Sequence, residues 1–272
     1  MIVVTGAGGN VGGELAAQLA AAGEPVRAIV RDPARAALPA GVEVVAGDLE
    51  LPESLTPALA GARAVFLLGG WSDMPGIVRR IGGAGAERVV LLTSRCVIGG
   101  RPDNAITGMW LDAEAAVRAG AVPWTIVRPS GFQSNALRWR PQLAAGDVVR
   151  APWPGVRIAA IDPADIAAVA AVALTGDAHV GDALELSGPE ALTPADQVAQ
   201  LGEALGRPLR YEPLTDAEAR AELGDSPAVD AQFRFFSEGE YDDARVVGTV
   251  RAVTGRDPGR FADWARAHAG DF

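Results

Sequence analysis

The chain is 272 residues long, 49% apolar and 21% charged, with a net charge of −10 at pH 7. That allows a large core and excludes a duplex nucleic-acid surface, whose affinity rests on neutralising phosphates. One cysteine and two histidines exclude a disulfide framework and a Cys/His metal centre, and all 24 basic residues are arginine, so chemistry that relies on lysine is absent.

Residues 1–4 (Met-Ile-Val-Val) form a short β-branched run that predicts a buried strand. It leads into Thr5-Gly6-Ala7-Gly8-Gly9-Asn10-Val11-Gly12, after which Val11, Leu15 and Leu19 recur at helical spacing. A strand, a glycine turn and a helix in that order make a seat for a dinucleotide pyrophosphate. Bare backbone N–H groups and the positive end of the helix dipole both favour an anion there. The turn, Gly6-x-x-Gly9-x-x-Gly12, is one residue longer than the commonest fingerprint. Gly8, Asn10 and Val11 lie within it and belong to the same expected site.

Gly23 predicts the end of the first helix. Strands are predicted over 26–30, 42–46, 64–68, 88–92 and 124–127, with helices over 52–59, 76–84 and 106–119 between them. Apolar strands alternating with helices predict an α/β fold, a Rossmann-type doubly wound parallel sheet with its ligand across the carboxyl ends of the strands. Beyond residue 130 the alternation weakens to a helix over 162–174, a strand over 183–186, a capped helix from Thr193 and a last helix over 260–269. This predicts a nucleotide-binding domain over 1–130 and a smaller C-terminal α/β substrate lobe over 131–272, partly interleaved with the sheet. Residues 224–230 are expected to form a mobile loop. No apolar run reaches membrane-span length, and no leader precedes the first strand, which predicts a cytoplasmic protein. Ala-, Gly- and Arg-rich usage without lysine fits a high-GC bacterial source.

The glycine turn, Val30-Arg31-Asp32-Pro33, Gly47-Asp48, Thr93-Ser94, and the run from Trp124 to Pro129 with Phe132 and Asn135 resemble the NmrA-like atypical short-chain dehydrogenases. That group includes NADPH:quinone oxidoreductases and azoreductase-like proteins. Leu186-Ser187-Gly188-Pro189 and Phe261-Ala262-Asp263-Trp264 extend the resemblance over nearly the whole chain.

Several site expectations follow. Arg31 ends the second strand, where NAD-selective proteins carry an acid for the ribose. A guanidinium there can hold the 2′-phosphate of NADP(H), with Arg35 as a second candidate. The alternative is a solvated Arg31, with Asp32 as the ribose acid. The resemblance places Asp48 and Leu49 at the adenine, although Asp48 also fits a turn or cap. Gly69 and Gly70 end the fourth strand, where a missing Cβ would admit the ribose. Thr93 and Ser94 end the fifth, Ser94 at the catalytic-serine level, although either hydroxyl could equally cap local backbone. Pro129 and Phe132 are expected beside the nicotinamide.

Ordinary members of the superfamily use a Tyr and, four residues on, a Lys. Counting from Glu114, those positions fall near Ile106 and Trp110, neither of which transfers protons; Tyr211 and Tyr241 lie outside the motif. Ketone reduction by a Tyr/Lys pair is disfavoured, and a quinone or activated enone that needs little acid help fits better. Trp71, Trp110, Trp139, Trp153, Phe132 and the cluster Phe233, Phe235 and Phe236 are candidate walls for a planar aromatic substrate, with core packing as the alternative. Asn135 is a further substrate candidate or a helix cap. Arg138 and Arg140 either meet an anionic substrate or lie on a solvated face, and His179 falls on a surface loop with no role. The expected function is therefore an NADPH-dependent oxidoreductase acting on a small molecule, with no metal, and with a place in biosynthetic tailoring as one variant. A non-catalytic NADP(H)-sensing regulator and an isomerase or lyase on the same scaffold are the alternatives.

Overall fold

A computed structural model describes the whole chain, from Met1 to Phe272. Nine strands run in chain order as β1 (Ile2–Val4), β2 (Val26–Val30), β3 (Glu43–Ala46), β4 (Ala64–Leu68), β5 (Arg88–Leu92), β6 (Trp124–Pro129), β7 (Val148–Ala151), β8 (Ala183–Leu186) and β9 (Arg210–Pro213). The helices are α1 (Asn10–Ala21), α2 (Thr56–Leu59), α3 (Met74–Gly83), α4 (Ala105–Ala119), α5 (Arg140–Ala145), α6 (Pro163–Thr175), α7 (Pro194–Leu205), α8 (Asp216–Leu223), α9 (Pro227–Phe236), α10 (Thr249–Thr254) and α11 (Phe261–Ala267).

Seven strands form one parallel sheet in the order β3-β2-β1-β4-β5-β6-β8. Strand side chains alternate between faces, and the two faces carry different cores. Ile2, Val4, Phe66, Val90 and Leu92 join α1 and α6 in one core. Val3, Val65, Leu67, Val89 and Leu91 join α2, α3 and α4 in the other. That is the doubly wound arrangement the apolar strands imply, and it brings the carboxyl ends of β1, β2, β4, β5 and β6 to one edge.

The chain beyond Ser130 returns to this sheet through α6 and β8. It also builds a third core around Trp139, Phe261 and Trp264 under a two-stranded parallel sheet, β7-β9. Neither β7 nor β9 is predicted from the sequence: both lie outside the strand-helix alternation, and the β9 side chains are largely solvated. The predicted helix over 52–59 starts as a 3-10 turn, Pro52–Leu55, before α2. The last helix ends at Ala267 and a 3-10 turn, Ala269–Asp271, follows.

The expected loop over 224–230 is shortened to 224–226, and residues 227–230 open α9. Ser226 caps α9 by accepting the Val229 amide at 3.2 Å, and Pro227 is the first helical residue. A Ser-Pro pair ahead of Val229 and Phe233 is a helix start rather than a loop signal.

Candidate functional site

The glycine turn leaves β1 with Gly6 at φ +63°, a left-handed conformation that favours glycine. A Cβ on Gly12 would lie 2.3 Å from the Gly6 carbonyl oxygen, so no side chain fits where α1 crosses the turn. Among helices of eight residues or more, α3, α4, α6, α7, α8 and α9 each begin with a side-chain cap. α1 begins with Gly9, has no side-chain cap and has no acid in its first turn. Its first amides therefore remain available to an exogenous anion, and the close turn leaves the backbone bare for a pyrophosphate. The Val11 side chain is buried in the core, so its contribution to a ligand is its amide. The Asn10 side-chain amide is committed to Ser134 Oγ at 2.9 Å, tying the turn to the segment after β6.

At the end of β2, Arg31 and Arg35 are both exposed and neither guanidinium meets a carboxylate of the chain. Asp32 Oδ1 accepts the Ala34 amide at 3.1 Å and caps the turn Pro33–Arg35, and its second oxygen remains open. Both arginines and one Asp32 oxygen are therefore free polar groups at the strand end. Asp48 accepts the Glu50 amide at 3.0 Å, so the turn role holds, and its second oxygen remains open. Leu49 is buried in the second core, which leaves only its backbone for a ligand.

Gly69 and Gly70 are needed first by the protein itself. A Cβ on Gly69 would come within 3.1 Å of the Leu92 carbonyl oxygen and 3.2 Å of the Trp110 ring. Gly70 sits at φ +89° against Met109. α4 packs closely over this turn, and a Cβ at either position would have to push Trp110 or Met109 back by a few tenths of an ångström.

Beyond the ends of β5 and β6 opens a cavity of about 430 Å³, within the usual range for small-molecule sites. Pro129, Gly131 and Phe132 form one side, and Thr93 and Ser94 the adjoining one. α4 presents Ile106 and Trp110 to it, the two positions expected in place of a Tyr/Lys pair. Asn104 caps that helix and so fixes its register.

Four hydroxyls line this space, and three have committed their protons. Thr93 donates to Glu114 at 3.2 Å and Ser130 to the Ala159 carbonyl at 2.5 Å. Tyr241 donates to Asp243 Oδ1 at 2.6 Å. Ser94 accepts the Cys96 amide at 3.3 Å and has no oxygen acceptor of its own. Glu114 itself is buried and held by both Arg128 and Arg118, which makes it a structural acid.

Tyr241 is the residue that sequence reasoning missed. It lies in irregular chain after α9, and nothing in its spacing links it to β5. Tertiary structure places it in the cavity beside Asp243, whose carboxylate bridges Arg95 at 2.9 Å and the Gly131 amide at 2.8 Å. Burial, and then the Asp243 charge, hold the phenol well above its ordinary value of 10.0. Burial also raises Asp243, against the opposing pull of its Tyr241, Gly131 and Arg95 partners, and burial raises the Cys96 thiol.

Trp110, Phe132, Asn135 and Trp153 line the cavity, joined by Phe235 and Phe236. Trp71 does not. Its indole donates to the Leu68 carbonyl at 2.8 Å and packs on the second core, just after the left-handed Gly70. Trp139 is fully buried in the third core, and Phe233 packs with Leu214 and Val229. Trp153 sits at φ 58°, the one residue other than glycine with positive φ, and is held by a 2.8 Å bond to Ser237 and by Phe236 at 4.8 Å. Strain of about 1–2 kcal/mol there is maintained by surrounding packing. Arg138 and Arg140 are both exposed, and of the two only Arg138 also lines the cavity. No cluster of metal-ligating side chains is present, and no helix is long and apolar enough to cross a membrane.

A family model described as NAD(P)H-binding matches residues 6–177. The (4-alkanoyl-5-oxo-2,5-dihydrofuran-3-yl)methyl phosphate reductase of Streptomyces griseus is 42% identical, covering 100% of this chain and 99% of its own. The NAD(P)H azoreductase of Xenophilus azovorans is 35% identical with the same coverage. The NADPH-dependent quinone oxidoreductase of Escherichia coli shares the fold at a TM-score of 0.80, with 24% identity over 98% of this chain and 99% of its own. With a nucleotide seat built by the glycine turn and relatives of full-length coverage, this chain belongs to the NmrA-like, atypical short-chain reductases and is an NAD(P)H-dependent oxidoreductase.

Proposed function

We propose that the protein reduces a planar, carbonyl-conjugated small molecule, a quinone or an activated enone, by direct hydride transfer with NADPH as the preferred cofactor. Bound in its site, the dihydronicotinamide supplies the hydride. The side chains supply position. Arg31 and Arg35 favour the 2′-phosphate, and Pro129 with Phe132 flank the place of the nicotinamide. Trp110, Phe132, Trp153 and Phe236 offer flat walls against which a conjugated acceptor stacks.

The observation that carries this reading is the pair Ile106 and Trp110 on the α4 face that turns to the cavity. With neither able to move a proton, the acceptor must accumulate negative charge that its own conjugation can spread. Ser94, with its proton free of any oxygen acceptor, supplies a hydrogen bond to the acceptor carbonyl. The product anion then takes its proton from water. The Streptomyces relative's name describes a ring double bond flanked by lactone and alkanoyl carbonyls, and this supports an acceptor of that kind.

The test is NADPH oxidation by purified protein across quinones, alkanoyl-substituted unsaturated lactones, azo dyes and simple ketones. Turnover of the conjugated acceptors and none of the ketones is expected. Ketones reduced at comparable rates, or NADPH bound tightly with no acceptor turned over, would overturn the proposal.

A further inference from the structure

The segment after Phe132, Gln133–Trp139, is a 3-10 helix. Side chains three apart eclipse in that geometry, so the segment has three faces. Gln133, Ala136 and Trp139 are buried. Ser134, on the second face with Leu137, is bound to Asn10. Asn135 and Arg138 form the third face, and both line the cavity. Neither side chain has a hydrogen-bonding or carboxylate partner in the chain; the Arg138 guanidinium lies 5.7 Å from the Trp139 ring. Gln197, in the first turn of α7, lines the same cavity with its side-chain amide also unengaged.

Arg138 and Asn135 are exposed at the cavity mouth, and the chain has acids to spare for the cation, with 34 Asp and Glu against 24 basic residues. The one carboxylate lining the cavity, Asp243, is taken up by Arg95, Tyr241 and the Gly131 amide. Asp196, the nearest acid on α7, is folded back onto Thr193 in a capping box. A guanidinium fork and two side-chain amides therefore line one cavity with nothing of the chain's own to bind.

We infer that Asn135, Arg138 and Gln197 form an anion subsite that takes the phosphate monoester of the substrate. Three donor groups match the three terminal oxygens of a phosphate monoester, whereas a carboxylate offers two. At about 2 Å rise per residue the backbone of Asn135 lies about 6 Å and that of Arg138 about 12 Å along the segment from Phe132, so the anion sits away from the nicotinamide side. The conjugated ring lies against the aromatic walls, and the phosphate anchors its far end. The inference rests on the proposed acceptor site and names the substrate class that site prefers.

The first test reads binding and needs no turnover. Protein saturated with NADPH is titrated calorimetrically with phenyl phosphate, phenol and benzoate. Phenyl phosphate is expected to bind at least about tenfold more tightly than phenol, and Arg138→Met to remove roughly 10- to 100-fold of its affinity. Arg138→Lys restores part, as a point charge without the fork. The second test compares kcat/KM for a phosphorylated unsaturated lactone and its free alcohol; the preference for the phosphate falls toward one in Arg138→Met. Equal phenyl phosphate affinity in wild type and Arg138→Met overturns the subsite, as does a loss of NADPH affinity in its place. Benzoate binding as well as phenyl phosphate overturns the phosphate assignment. If phenyl phosphate binding depends on Arg138 and no lactone is reduced, the acceptor reading fails and the subsite stands.

Discussion

Arg95 and Asp243, 148 residues apart in sequence, meet in the interior at 2.9 Å with side chains 3% and 6% exposed. Arg95 follows β5, and Asp243 lies in the irregular stretch between α9 and α10. Arg95 also donates to the Arg245 carbonyl at 2.6 Å, while Asp243 receives the Gly131 amide. The pair ties the C-terminal segment to the two strand ends where the cavity opens, and this link is what brings Tyr241 into the lining.

Removing one member leaves a buried charge without its partner. Asp243→Ala is expected to lose about 3–5 kcal/mol of stability, measured by urea denaturation. A loss below about 1 kcal/mol, the range of an exposed pair, would contradict the anchoring role.

Tyr241 tests the absence of a general acid. Its proton is committed to Asp243 at 2.6 Å, and its phenol is held above the ordinary range. Tyr241→Phe is therefore expected to lower kcat by less than about tenfold, where a general acid would account for roughly 10²–10⁴. A loss in that larger range, with a changed pH profile, would make Tyr241 the proton donor.

Cofactor choice is read at Arg31. Arg31→Gln should weaken NADPH roughly 10- to 100-fold by loss of charged hydrogen bonds, with a much smaller change for NADH. Tryptophan-fluorescence titration with both cofactors measures it. Equal losses for the two would remove the 2′-phosphate assignment.

The α7 capping box has a defined pH signature. The Thr193 amide and hydroxyl hold Asp196 below its ordinary value of 3.8. A depressed carboxylate stabilises the fold above its unfolded value, and the gain disappears as pH falls through the lower folded value. Asp196→Ala is expected to cost about 1 kcal/mol at pH 7. The gap between variant and wild type should narrow only as pH falls from 3.8 through the lower folded value, and thermal melts at pH 7 and well below pH 3.8 check this.

Much of the nucleotide end was legible because it is local. The glycine spacing, the helix period after it and Arg31 at a strand end all lie within a few turns of chain, where backbone geometry and propensity dominate. α9 was also legible in principle, through Ser226-Pro227, but was obscured by the polar run around it. Trp71 could not be placed from sequence, since its direction is seen only in its packing on the second core.

The sequence by itself determined the doubly wound sheet, the glycine turn that opens α1 and the absence of a Tyr/Lys pair, because period, glycine position and residue identity are properties of short segments. Only the tertiary structure decided what lines the cavity. Tyr241 and Asp243 reach Arg95 through a long-range ion pair. Arg138 and Asn135 line the cavity because the opposite face of their segment, Gln133, Ala136 and Trp139, packs inward. Trp139 is core while Trp153 is wall. Each of these depends on which surfaces pack together when distant segments meet, and no short-range pattern encodes that choice.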